Sequence, residues 1–268
     1  MYSFGIGLFC IQFFCNLAAQ QEVKCSGYIC IPPNYENFNP PFSHKIINVS
    51  TNFKAPWIQK VDDIEETISL FLDIAITWEE PRLEVNASLQ ENKLYSLDVS
   101  FLKLLWIPDI FIYDAKNLVK KGIDGDLENL KYLSTSKSHF LKYTLTVNVE
   151  IVCYRFNFDE YPFDSNDCFL DMGSYSYPKE ELIFTELIKE TSIYSNKNDF
   201  LRSNFLINFE KMPTDRIFQG EKSDYSITGF KINLKRNVNK YIFNYYIPSG
   251  LMVITSWVRC STNQMRSN

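Results

Sequence analysis

The sequence predicts an all-β fold, an antiparallel β-sandwich, followed by one transmembrane α-helix. Three observations carry that expectation. Apolar residues recur at every second position in several separate stretches, the period of a strand with one buried face. Aromatic residues make up 16% of the 268 positions, with Phe 22 and Tyr 16 against only nine Gly, a composition that suits packed strands. One late stretch, Tyr241 to Val258, carries no charge at all.

The first residues, MYSFGIGLFCIQFFCNLAA (1–19), read as a signal peptide: an apolar run that ends in small residues, although its start carries no Lys or Arg. A short buried helix is the competing reading. Removal of residues 1–19 takes Cys10 and Cys15 with it. Cys25, Cys30, Cys153, Cys168 and Cys260 then remain. Two close pairs and one leftover fit an oxidising compartment, with Cys25–Cys30 and Cys153–Cys168 as the disulfides that proximity suggests. Residues 20–55 are rich in Pro and Asn and read as a lead-in. Asn48 and Asn86 each open an Asn-x-Ser tripeptide, the glycosylation acceptor pattern.

The sandwich is expected over 56–239. In TISLFLDIAITW the residues Ile68, Leu70, Leu72, Ile74, Ile76 and Trp78 fall on one face, with Thr67, Ser69, Asp73 and Thr77 on the other. In KYTLTVNVEIVC the inner set is Tyr143, Leu145, Val147, Val149, Ile151 and Cys153. GFKINLK repeats the pattern with Phe230, Ile232 and Leu234. Shorter strands are expected near 105–113 and 204–210, and a helical turn near Pro178–Leu187. Strands joined by polar turns favour an antiparallel sandwich. The membrane helix is expected at 240–258, because the uncharged residues 241–258 would span about 27 Å as a helix. A polar tail, 259–268, follows it.

The residues give little support to catalysis. The only histidines are His44 and His139, and no Gly-x-Ser-x-Gly or phosphate-cradling glycine loop occurs. The acidic loop at 122–129, with Asp124, Asp126 and Glu128, fails the EF-hand pattern and reads as solvated carboxylates. No cofactor, metal or catalytic residue is expected. A net charge of −5 lacks the basic footprint of a nucleic-acid binder.

The stretch CYRFNFDEYPFDSNDC (153–168) is the most informative. Its crosslink alone would remove about 3 kcal/mol of unfolded-chain entropy. Tyr161-Pro162-Phe163-Asp164 inside it forms a stiff apolar tip beside a carboxylate, since Pro fixes its own backbone angle. Such a tip asks for a surface to press on.

Several motifs, in order, resemble those of the Cys-loop family, the pentameric neurotransmitter-gated ion channels. They are Trp106-Ile107-Pro108-Asp109, Pro162-Phe163-Asp164 through Cys168, Gly173-Ser174-Tyr175-Ser176-Tyr177, and Lys235-Arg236 through Tyr241, Tyr245, Pro248-Ser249 and Ser256-Trp257. The resemblance runs from about Pro56 to Val258. It implies an immunoglobulin-like sandwich of about ten strands above a membrane bundle, on the extracellular side of the plasma membrane. It implies a small amine or amino-acid neurotransmitter held between neighbouring subunits of a pentamer, in a box of aromatic rings whose faces attract a cation. By position the box would include Tyr113, seven residues after Trp106, Tyr175, seven after Cys168, and Tyr225, eleven before Arg236, with Phe218 beside it. Each of these also suits ordinary packing. The resemblance further implies that Asp62, Asp63, Pro162, Phe163, Asp164 and Arg236 pass ligand binding down to the membrane.

The chain departs from that pattern in places. The disulfide loop encloses fourteen residues, longer than is usual in the animal receptors. No adjacent cysteine pair lies near Tyr225, and Val85 stands where many complementary faces offer an aromatic. Pore helices are not present, so a truncated or soluble transmitter-binding protein, or a subunit that blocks assembly, is an alternative expectation. A secreted sandwich hydrolase using carboxylates is a third.

Overall fold

The computed structural model describes residues 23–266 apart from 86–88, 121–127, 136–137, 155, 187–199, 203 and 214–215. The signal-peptide expectation for 1–19, Asn86, Asp124 and Asp126 therefore lie outside the described residues. Sixteen strands are found among them. The first six are β1 (Lys24–Ser26), β2 (Ile29–Ile31), β3 (Ile47–Asp62), β4 (Thr67–Glu79), β5 (Glu84–Val85) and β6 (Leu94–Leu97). The next five are β7 (Ile110–Ile112), β8 (Ala115–Lys120), β9 (Glu128–Ser134), β10 (His139–Val152) and β11 (Ser165–Ser174). The last five are β12 (Leu182–Glu186), β13 (Phe200–Arg202), β14 (Phe205–Lys211), β15 (Ile217–Gln219) and β16 (Asp224–Arg236).

Two large sheets make the sandwich. One runs β12-β3-β4-β10-β9-β6, with β8 also on β10; the other runs β13-β14-β16-β11-β7, with β15 also on β16. A small sheet, β1-β2-β5, stands apart. The period-two stretches supply the core. Ile68, Leu70, Leu72, Ile76 and Trp78 on β4 and Val147, Val149 and Ile151 on β10 are all buried. They face Phe230, Ile232 and Leu234 of β16, which are fully buried as well. The intervening residues pair on the outside, as where the Thr146 hydroxyl donates to the Asp73 carboxylate at 2.6 Å. At the centre of the second sheet Gly229 of β16 sits opposite Asp171 of β11. A Cβ there would fall 1.8 Å from the Leu170 carbonyl oxygen, so this close approach requires glycine.

Several expectations change. The first long strand begins at Ile47, inside the stretch read as lead-in. Residues 182–186 form a strand rather than a helical turn, because β12 adds in parallel along the start of β3 and buries Leu182 and Phe184. Of 105–113 only Ile110–Ile112 is a strand; Pro108 lacks the N–H a ladder needs.

The C-terminal stretch is helical. Asn237 caps it, its side-chain oxygen accepting the Asn239 N–H at 3.2 Å. Helix α1 (Val238–Tyr241) passes through a π turn at Ile242–Tyr246 into α2 (Ile247–Arg266), which continues through the residues expected as a polar tail. The expectation of a transmembrane helix at 240–258 is corrected: among the described residues no helix is long and apolar enough to cross a membrane. Asn244, Ser249, Thr255 and Ser256 dilute its apolar residues, and Arg259 and the polar residues after it extend the same helix.

Candidate functional site

The motif Trp106-Ile107-Pro108-Asp109 is scaffold. Trp106 is buried and donates its indole N–H to the Tyr177 hydroxyl at 3.2 Å. Its ring meets Trp78 and Tyr177 edge-on, at 6.4 and 5.9 Å. The Asp109 carboxylate accepts the Ser174 hydroxyl at 2.5 Å and the Ser176 N–H at 2.6 Å. Those bonds tie the turn that carries Tyr175 to the turn that leads to Tyr113. Behind the motif, Glu80 is buried under the fork of Arg82, at 2.7 and 2.8 Å, and accepts the Tyr35 hydroxyl at 3.0 Å. The Tyr35 phenol is pushed well above its ordinary range, first by burial and then by the Glu80 charge.

Above this scaffold the expected aromatic residues come together. Tyr113 follows β7, anchored by its N–H to the Asp171 carbonyl at 2.8 Å. The Phe218 ring lies on it at 4.8 Å between centroids. Phe218 itself is on β15, directly opposite Tyr225 on β16, so the hairpin between these strands brings both rings over β11. Tyr175 is 74% exposed, at the rim. What links it to the rest is Phe111, whose ring stands 5.4 Å from Tyr113 and 6.0 Å from Tyr175. Phe111 was missed by the sequence reading, although its position between the two isoleucines of β7 marks it as an outward aromatic. Burial, then the neighbouring Tyr225, Asp171 and Asp109, pushes the Tyr113 phenol up, so it stays neutral. The floor is Gly173: a Cβ there would lie 2.9 Å from the Tyr113 ring and 3.1 Å from its hydroxyl. Val85 lies elsewhere, paired with Ile29 in the small sheet and packed against the core.

At the opposite end of the sandwich the second group of expected residues also converges. Cys153 and Cys168 form a disulfide with Cα atoms 5.2 Å apart, buried between β10 and β11, and Cys25 pairs with Cys30. The loop tip differs from expectation. Pro162, preceded by a cis peptide bond, and Asp164 are turned inward, and Phe163 is exposed. Asp164 faces Arg236, whose Nε donates at 2.7 Å and whose Nη2 donates at 3.1 Å. Asp63 accepts from Nη1 at 2.7 Å. The Arg236–Asp164 pair is buried, with side chains 1% and 2% exposed, while the Asp63 side chain is 36% exposed at its edge. Burial opposes the Arg236 charge, but Asp164 and Asp63 outweigh it and hold the guanidinium above its ordinary range. The rings of Phe205 and Tyr161 lie under the cation at 4.7 and 4.8 Å.

The two adjacent aspartates divide the work. Asp62 accepts the N–H groups of Ile64 and Glu65, both at 3.2 Å, and holds the turn between β3 and β4. Asp63 reaches across to Arg236. The turn presents Ile64, 92% exposed, and the disulfide loop presents the exposed Phe163. Tyr161 packs edge-on against Tyr241 at 5.3 Å, which joins the loop to the start of the helix.

Among the described residues no group of three His, Cys, Asp or Glu side chains is placed to hold a metal ion. Glu128 is engaged by Lys120 at 2.6 Å and by Tyr143 at 2.5 Å. Asn48 is exposed on β3.

The chain is similar to several known proteins. The chain is 22% identical over 248 residues to the gamma-aminobutyric acid receptor subunit pi of Rattus norvegicus, covering 92% of this chain and 54% of the relative. It is 24% identical over 222 residues to the gamma-aminobutyric acid receptor subunit rho-2 of Homo sapiens, covering 83% and 46%. It is 24% identical to subunit rho-1 of Mus musculus over 222 residues, covering 83% and 45%. The chain thus spans about half the length of the curated relatives it matches, and these are receptor subunits rather than enzymes. The profile of the neurotransmitter-gated ion-channel ligand binding domain matches residues 31–238, and the chain belongs to that family.

Proposed function

We propose that this domain takes a small amine or amino-acid transmitter, with γ-aminobutyric acid the first to test, in the cluster of Tyr113, Phe218, Tyr225, Tyr175 and Phe111. The site is completed by a neighbouring subunit of a pentamer on the extracellular side of the plasma membrane. The observation that carries this is the tilted contact of the Tyr113 and Phe218 rings, 4.8 Å between centroids, beside an outward row of rings. Ring faces attract an ammonium group by roughly 0.5–2 kcal/mol each, more where water is excluded. Asp109, near enough to act on Tyr113, favours the same charge, whereas Asp171 is matched by the Arg216 guanidinium at 2.5 and 2.8 Å. The relatives are named for a ligand with such a group.

Binding closes the β15–β16 hairpin over the cluster. Because β16 runs unbroken from Tyr225 to Arg236, that motion reaches the Arg236–Asp164–Asp63 cluster at the far end. The exposed Ile64 and Phe163 then press on the membrane domain of the assembled channel.

Radiolabelled γ-aminobutyric acid binding to the purified chain, alone and assembled with a rho-2 subunit, tests the proposal. Saturable binding weakened by Phe218→Ala and by Tyr113→Leu is the expected result. Absence of saturable binding in every assembled form of the folded chain overturns it.

A further inference from the structure

We propose that the cavity walled by β4, β7, β8 and β10 is a second ligand site, for a small uncharged apolar molecule. The cavity measures about 530 Å³, and its walls include Ile74 and Ile76 of β4, Ile110 and Ile112 of β7, Leu118 of β8 and Leu145 of β10. That volume lies within the roughly 300–1,000 Å³ of small-molecule sites. A space lined by aliphatic side chains gives water few partners and accepts apolar guests.

The polar groups around it argue against a charged occupant. Lys116 is matched by Glu65 at 3.3 Å and Glu150 at 3.9 Å. Lys120 is matched by Glu128 at 2.6 Å, and the Tyr143 hydroxyl donates to the same carboxylate. With those partners in place, a charge entering the cavity meets no counter-charge, and its desolvation is uncompensated.

The site has its own consequence for the aromatic cluster. Strand β7 walls the cavity with Ile110, Phe111 and Ile112, and the Phe111 ring also stands against Tyr113 and Tyr175 of the aromatic cluster. It pairs with β11 through only three residues, Met172, Gly173 and Ser174. An occupant pressing on Ile110 and Ile112 therefore acts on the short strand that holds Phe111 and leads into Tyr113. The site stands whether or not a transmitter binds the cluster.

The test uses the full chain and two rigid probes, 1-adamantanemethanol and 1-adamantanecarboxylate, with binding followed by calorimetry and saturation-transfer NMR. The alcohol is expected to bind saturably, one per chain, and the carboxylate at least about tenfold more weakly. Leu118→Trp, at a position 43% exposed at the cavity wall, needs no room in the core and should weaken the alcohol at least about tenfold. Leu145→Phe fills the cavity from its inner side and should do the same; near-ultraviolet circular dichroism checks that both variants are folded. The proposal is overturned by no saturable binding to the wild-type chain, by binding that survives both substitutions, or by equal affinity for the carboxylate.

Discussion

The guanidinium of Arg236 forks onto the carboxylate of Asp164, 72 residues away in sequence, with both side chains shut off from water. The fork joins the end of β16 to the tip of the disulfide loop. Its Nη1 extends the link to Asp63 on the turn after β3. Asp164→Ala removes two hydrogen bonds from the buried guanidinium and leaves Asp63 to match its charge, and should cost up to about 3 kcal/mol. Replacing both partners together, Arg236→Met with Asp164→Leu, should cost clearly less. Urea unfolding of the three proteins measures this, and equal losses for single and double variants would show that the pair is not acting as a buried unit.

Asp62 and Asp63 should separate by readout. Asp63→Asn removes a partner of Arg236 and should shift the transmitter concentration needed to open an assembled channel. Asp62→Asn loosens only the turn and should lower protease resistance there while shifting that concentration less. Patch-clamp dose–response curves and limited proteolysis together check the division.

Loss of a ring should weaken transmitter binding by about 2- to 30-fold, the range given by roughly 0.5–2 kcal/mol per cation–ring contact. Tyr113→Phe keeps the ring and should be mild; Tyr113→Leu and Phe218→Ala should be severe. Competition binding with a charged agonist and a neutral isostere distinguishes a cation–ring site from plain apolar packing, which would treat both ligands alike.

Gly173→Ala should act through Tyr113. The added methyl meets that ring at 2.9 Å and the Ile227 side chain at 3.1 Å, so the ring must shift toward Phe218. Transmitter affinity should fall while cooperative unfolding is kept. An unchanged affinity would mean that the depth of the Tyr113 ring does not matter to the ligand.

Alkaline pH should loosen the fold. The Tyr161 phenol is pushed up to about 12, chiefly by its hydrogen bond with Tyr241 and then by burial. An unfolded chain releases the same proton near pH 10. Above that pH the unfolded state holds fewer protons than the folded one, so stability falls as pH rises. The contribution is whole below pH 10 and lost as pH climbs through about 12. Half-buried Tyr35 and Tyr113, shifted in the same direction, add to the trend. Urea midpoints between pH 9 and pH 12 should show it, and Tyr161→Phe should flatten part of the slope.

The sequence by itself determined the strands whose pattern is local. Alternation in 67–78, 142–153 and 229–235 tells which face of each is buried, because successive side chains of a strand point to opposite sides. The motif spacings likewise reached Tyr113, Tyr175, Phe218 and Tyr225, and the tertiary structure brings their rings to one place. Other features depend on partners distant in the chain, to which a local pattern is blind. Residues 182–186 became a strand only because the start of β3 offered an edge. Phe111 counts as part of the cluster only because the pairing of β7 with β11 sets its ring between those of Tyr113 and Tyr175. Asp164 resembled an exposed loop carboxylate until Arg236, fixed at the end of β16, was packed beneath it. The C-terminal stretch kept its helical conformation, but its own polar residues set a mean hydropathy below that of a membrane span. The physical reason is the same throughout: periodicity records which side of an element avoids water, whereas the identity of what covers that side is a property of the packed chain.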